Sequence, residues 1–204
     1  MLRTFVAVPL EEAARAGIAE HLAVWRRAGQ RGSLGPTVAL RWVPVENLHL
    51  TVAFLGATAE RLVPRIAEAL SPVAARTAAP ELRFDAAGAF PTAARPRVVW
   101  LGAPAEERWF GTLVRDVRAA LAPLGFTLDD GRPIRTHVTL ARVGRVVGEE
   151  PAARLALGEL LGRLERAVGE APIGSHADRL VLYESRQVPG GVRYAALAEF
   201  PLGG

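Results

Sequence analysis

Apolar and polar positions fall into short blocks along this chain. Residues 3–9 are an apolar, β-prone run that reads as a strand, and residues 11–28 follow with Ile18, Leu22 and Trp25 on one side of a helix. Gly29 to Pro36 interrupts the pattern as a loop, and Arg41-Trp42-Val43 is a brief apolar stretch ending at Pro44. A strand is predicted over 48–55, closed by Gly56. The spacing of Leu62, Ile66 and Leu70 predicts a helix over 58–76, with Pro64 in its first turn or kinking it. Strands near 81–90 and 97–101, a helix over 106–121, a strand over 134–143 and a helix over 151–168 opened by Pro151 come next. Two last strands, 178–185 and 192–200, flank Gly190-Gly191 as a hairpin. Element order is roughly mirrored in the two halves, and no low-complexity linker parts them. The expectation is one domain over residues 1–204, made of two lobes.

One strand in each half carries the same pattern, His49-Leu50-Thr51-Val52 and His137-Val138-Thr139-Leu140. Successive strand side chains point to opposite faces, so His49 and Thr51 share a face, as do His137 and Thr139. Leu48, Leu50, Val52 and Phe54 are assigned to the other face of the first strand. A single His-x-Thr strand is an ordinary finding, because a partly buried histidine with one hydrogen bond is far commoner than a catalytic one. Two copies of equal parity point instead to a shared cleft. Facing each other, they would supply two groups that titrate near neutrality and two neutral hydroxyl donors, as acid–base chemistry on a phosphate ester requires.

Composition narrows the reading. Half of the 204 residues are apolar, enough for a sizeable core. The absence of cysteine excludes disulfides and thiolate metal sites and fits a reducing compartment, so the cytoplasm is the expected location. The N-terminal apolar run is too short for a signal peptide, and no stretch approaches the roughly 20 apolar residues of a membrane helix. Net charge is +4 and all 25 basic side chains are arginine, the better bidentate partner for phosphate. A coding bias toward alanine, glycine and arginine would give the same count, so basicity permits a nucleic-acid partner without requiring one. Neither motif offers a third nitrogen or a carboxylate, so no metal or other cofactor is expected. The remaining histidines, His21 and His176, have no partner motif.

Three segments carry a family resemblance: Arg41-Trp42-Val43-Pro44-Val45-Glu46-Asn47-Leu48-His49-Leu50-Thr51-Val52-Ala53-Phe54-Leu55-Gly56, the loop from Gly88-Ala89-Phe90-Pro91 to Arg95-Pro96-Arg97-Val98-Val99-Trp100, and Thr136-His137-Val138-Thr139-Leu140-Ala141-Arg142. Together with the terminal Leu182-Tyr183-Glu184-Ser185, they closely resemble the bacterial and archaeal RNA 2′,3′-cyclic phosphodiesterases. Those enzymes belong to the 2H phosphoesterase superfamily, also known as the 2′-5′ RNA ligase family.

The resemblance implies a bilobal, pseudo-symmetric α+β fold, with two antiparallel sheets facing a central cleft and helices outside. It also implies a metal-free reaction on RNA 2′,3′-cyclic phosphate ends that leaves a 2′-phosphomonoester. Carried over, His49 gives a proton to the leaving ribose oxygen, His137 takes one from water, and Thr51 and Thr139 hold phosphate oxygens. The family places the counterpart of Arg142 near the phosphate, whereas strict alternation puts Arg142 with Val138 and Leu140, away from His137. The strand bends or ends there, or Arg142 is structural. Phe90 either stacks on a terminal base or packs in the core, and Trp42 reads as core. Arg95, Arg97 and Arg135 are candidates to track RNA phosphates, or ordinary surface arginines. The expected partner is RNA with a cyclic phosphate end, tRNA fragments and cyclic nucleotides being candidates, acted on by a monomer without membrane attachment. Two competing readings are 2′-5′ RNA ligation as the main activity and non-catalytic binding of RNA ends.

Overall fold

The computed structural model describes residues 1–28, 38–128, 131, 133–146 and 151–203. The expected Gly29 to Pro36 loop and the side chain of Trp25 lie outside what is described. Among the described residues, ten strands and four α-helices follow in the order β1 (Leu2–Pro9), α1 (Glu12–Ala28), β2 (Val38–Trp42), β3 (His49–Thr58), α2 (Val63–Ala75), β4 (Glu81–Phe84), β5 (Ala86–Phe90), β6 (Val98–Gly102), α3 (Glu107–Leu121), β7 (His137–Val146), α4 (Pro151–Glu170), β8 (Ile173–His176), β9 (Arg179–Val188) and β10 (Gly191–Pro201). This is the expected α+β class. Pro64 sits in the first turn of α2, where the missing N–H is harmless.

The sequence expectation is altered most at β4 and β8. The strand expected over 81–90 splits at Asp85: β4 leaves to pair with β8 in a two-stranded sheet, while β5 joins the main sheet beside β6. Strand β8 has too few residues to show a period, and only its pairing with β4 reveals it.

All pairings are antiparallel, and the main sheet runs β10-β9-β1-β3-β7-β6-β5, with β2 also paired to β7. The two motif strands meet at its centre. They share a single register pair, Leu50 with Val138, whereas β1 and β3 pair along most of their length. The sheet is thus joined across its centre by one narrow seam, with a motif strand on each side. Leu50 and Val138 are fully buried at that seam, inside one connected apolar cluster that runs from Val6 and Ile66 to Leu164 and Val168. Burying both anchors the relative position of the two histidines, since each projects from the residue next to the pair.

Both motif strands carry a β-bulge at the same place. In β3, Ala7 pairs with Thr51 and Val6 with Ala53, leaving Val52 over; in β7, Trp100 pairs with Thr139 and Val99 with Ala141, leaving Leu140 over. An extra residue reverses the side-chain parity beyond it. Val52, Ala53, Leu140 and Ala141 are all buried, and the next residue in each strand, Phe54 or Arg142, is exposed. The assignment of Phe54 to the face of Leu48, Leu50 and Val52 is therefore corrected: it is 67% exposed while they are buried, and its ring lies near Phe5. The same bulge removes the parity objection to Arg142.

Candidate active site

The two histidines are mounted by the same device. His49 Nδ1 donates to the carbonyl oxygen of Asn47 (2.7 Å), and His137 Nδ1 donates to that of Arg135 (2.9 Å). Each carbonyl lies two residues before its histidine, so the backbone itself fixes ring orientation and tautomer, leaving Nε2 as the reactive edge. His49 Nε2 accepts a hydrogen bond from the Thr51 hydroxyl at 2.9 Å. The shared face predicted for His49 and Thr51 is thus a direct contact.

Aromatic rings back both imidazoles. Phe5 packs against His49 at 5.0 Å, and Tyr194 meets it edge-on at 5.4 Å. On the other side Phe90 meets His137 edge-on at 5.0 Å and stacks on Trp100 at 5.2 Å. Trp100 is itself seated between two glycines. A Cβ on Gly88 would fall 2.5 Å from the indole and one on Gly102 would fall 2.9 Å from it, so glycine is needed both on the neighbouring β5 and two residues along β6 itself to seat the ring. Phe90 is therefore part of the site wall. Trp42 is half-buried against the core, as expected.

Enclosure by these rings depresses both basicities. Burial pushes the His49 pKa down from 6.5 to about 4; the Asn47 carbonyl opposes this, and the positive charges of His137 and Arg142 add to it. Burial also lowers His137, against the pull of the Arg135 carbonyl. Both imidazoles are neutral at pH 7 in the empty site. The Arg142 guanidinium acts on His49 and also on Tyr194, whose pKa burial raises, which puts its charge on the cleft side. A cation acting on His49, beside the Thr51 hydroxyl, suits the site to an anion.

Sequence reasoning missed Tyr194, Asn47 and Phe5. Strand β10 lies three strands from β3, about 14 Å in a flat sheet. Yet Asn47 Nδ2 donates to the Val192 carbonyl at 2.7 Å, so the curled sheet brings the end of the β9–β10 hairpin over the turn before β3. No local signal in the sequence encodes that curl. Of the other arginine candidates, Arg135 is ion-paired with Glu107 at 3.0 Å and serves His137 through its carbonyl, while Arg95 and Arg97 are exposed. His176 pairs with Glu81 in the small sheet, apart from the motifs. Among the described residues no group of three or more His, Cys, Asp or Glu is placed to hold a metal ion, and no helix is long and apolar enough to cross a membrane.

Comparison with known proteins agrees with this geometry. The family described as "LigT like Phosphoesterase" matches residues 14–100 and again 101–194, one match per motif. The chain is 34% identical over 198 residues to the RNA 2′,3′-cyclic phosphodiesterase of Geobacillus stearothermophilus, covering 97% of this chain and 56% of that protein. It is 31% identical over 202 residues to the enzyme of the same name from Methanothermobacter thermautotrophicus, covering 98% and 99%. Among solved structures, E. coli LigT complexed with 3′-AMP superposes with a TM-score of 0.70 at 26% identity, covering 98% of each chain.

Proposed function

The chain belongs to the LigT-like phosphoesterase family, and from that premise we propose that it hydrolyses RNA 2′,3′-cyclic phosphate ends to 2′-phosphomonoesters, with His49 and His137 as acid and base. The observation that carries this reading is the matched mounting of the two imidazoles on carbonyls two residues upstream, at the seam where β3 meets β7. Two relatives bearing the name of that activity, matched over nearly the whole of this chain, support the substrate class.

Hydrolysis needs a proton taken from water on one side of phosphorus and one delivered to the departing oxygen on the other. With His137 as base and His49 as acid, the roles the resemblance implies, the water oxygen bonds to phosphorus while the bond to O3′ breaks. The His49 proton goes to O3′. Thr51 and Thr139 donate to the non-bridging oxygens, and Arg142 neutralises the charge that builds on them. Phe90, stacked on Trp100 and edge-on to His137, positions the base. The scheme invokes no metal.

An empty site keeps both imidazoles neutral, whereas the bound phosphodiester brings a negative charge that raises both pKa values. Substrate itself thus allows His49 to hold the proton it must donate. The rate should follow a bell-shaped pH profile whose two limbs belong to the coupled pair.

The test is turnover of an oligoribonucleotide ending in a 2′,3′-cyclic phosphate, with and without a chelator. His49→Ala and His137→Ala, checked for folding by circular dichroism, should each lose on the order of 10²- to 10⁴-fold in kcat. Near-wild-type turnover by either variant, a 3′-phosphate product, or loss of activity on chelation would overturn the scheme.

A further inference from the structure

Beside His49 lies an open depression lined by Arg15, Glu46, Asn47, His49, Tyr183 and Tyr194 among others. Arg15 comes from the first turns of α1 and is half-buried. Nothing in the scheme above uses it, and it is in no ion pair with Glu46 across the depression. Tyr183 and Tyr194 stay protonated, since burial raises both. The depression therefore offers a cation, two hydroxyl donors and, at its exposed edge, the Glu46 carboxylate as an acceptor.

We propose that this depression is a second subsite, which takes the internucleotide phosphate and ribose immediately upstream of the cyclic phosphate end. The inference rests on the proposed function. If His49 protonates O3′, the terminal ribose lies on the His49 side of phosphorus, and the chain continues from its 5′ oxygen toward Arg15. Arg15 then donates to the upstream phosphate, and Glu46 accepts from the 2′-hydroxyl of the penultimate ribose, a group that DNA lacks. Glu46 alone would repel a phosphate, which is why the acceptor is assigned to the sugar. The subsite would make the protein a reader of RNA ends in preference to free cyclic nucleotides.

The test compares binding of a nucleoside 2′-monophosphate with that of a dinucleotide ending in a 2′-phosphate, by calorimetry, in the wild type and in Arg15→Gln. The dinucleotide should bind the wild type about tenfold more tightly than the mononucleotide. Arg15→Gln should erase that gain while leaving mononucleotide affinity within twofold, and Arg15→Lys should restore part of it. Replacing the penultimate 2′-hydroxyl with hydrogen should weaken dinucleotide binding only while Glu46 is present, so the loss disappears in Glu46→Ala. No gain from the upstream nucleotide in the wild type, or a gain that survives in Arg15→Gln, would overturn the subsite. Because these ligands are products and do not react, the outcome is independent of turnover, whose absence would overturn the catalytic reading instead.

Discussion

Lowering the pH from 7 to 4 should destabilise this protein through His49 by an amount the structure sets. In the unfolded chain an imidazole takes up its proton near pH 6.5, whereas in the folded site burial delays uptake to about 4. Between those limits the unfolded state binds a proton that the native state refuses, so stability present above pH 6.5 is lost progressively as the pH falls toward 4 and loses nothing further below it. At about 1.4 kcal/mol per pH unit, the window corresponds to about 3 kcal/mol. Carboxylates titrate in the lower half of the same range, so the signature is a difference between proteins. His49→Gln keeps an amide donor for the Asn47 carbonyl and cannot titrate. Urea unfolding of both proteins at half-unit steps from pH 7.5 to 3.5 should show the wild type losing about 3 kcal/mol more than the variant. Imidazole proton chemical shifts should place the His49 midpoint near 4 in buffer without phosphate and at higher pH once inorganic phosphate is added. Parallel stability curves, or a midpoint near 6.5 in the empty protein, would refute the claim that Phe5, Tyr194 and the nearby cations enclose this ring.

Two further perturbations probe the walls of the cleft. Arg142→Gln should lower kcat on a cyclic phosphate end by roughly 10²-fold with the fold intact, Arg142→Lys recovering part of it; unchanged kcat in Arg142→Gln would place the guanidinium outside the reaction. Gly88→Ala puts a methyl group 2.5 Å from the Trp100 indole, so it should cost about 1–3 kcal/mol by thermal or urea unfolding. It should also slow turnover by shifting Phe90 off His137, and a fully stable, fully active variant would contradict the glycine slot.

The candidate chemistry of this protein was legible locally, and the assembly of its site was not. The period-two pattern around His49 and His137, with a threonine at the same offset, specified two strand faces bearing an imidazole and a hydroxyl, because side-chain direction in a strand is a property of the backbone alone. Helical spacing of Leu62, Ile66 and Leu70 did the same for α2. The pattern failed where a tertiary constraint intervened. The bulges at Val52 and Leu140 depend on pairing with β1 and β6, so alternation set Phe54 on the wrong face and left Arg142 ambiguous. One extra residue in register, Leu140, invisible to any window along the chain, reversed the parity of Arg142. Likewise Asn47 and Arg135 orient the histidines with carbonyl oxygens, which every residue possesses and no sequence pattern reports. Tyr194 reaches His49 only because the curled sheet carries the last hairpin over the third strand. The sequence by itself determined which groups could exchange protons. The tertiary structure alone decided their orientation and basicity, because both depend on neighbours that arrive from distant strands.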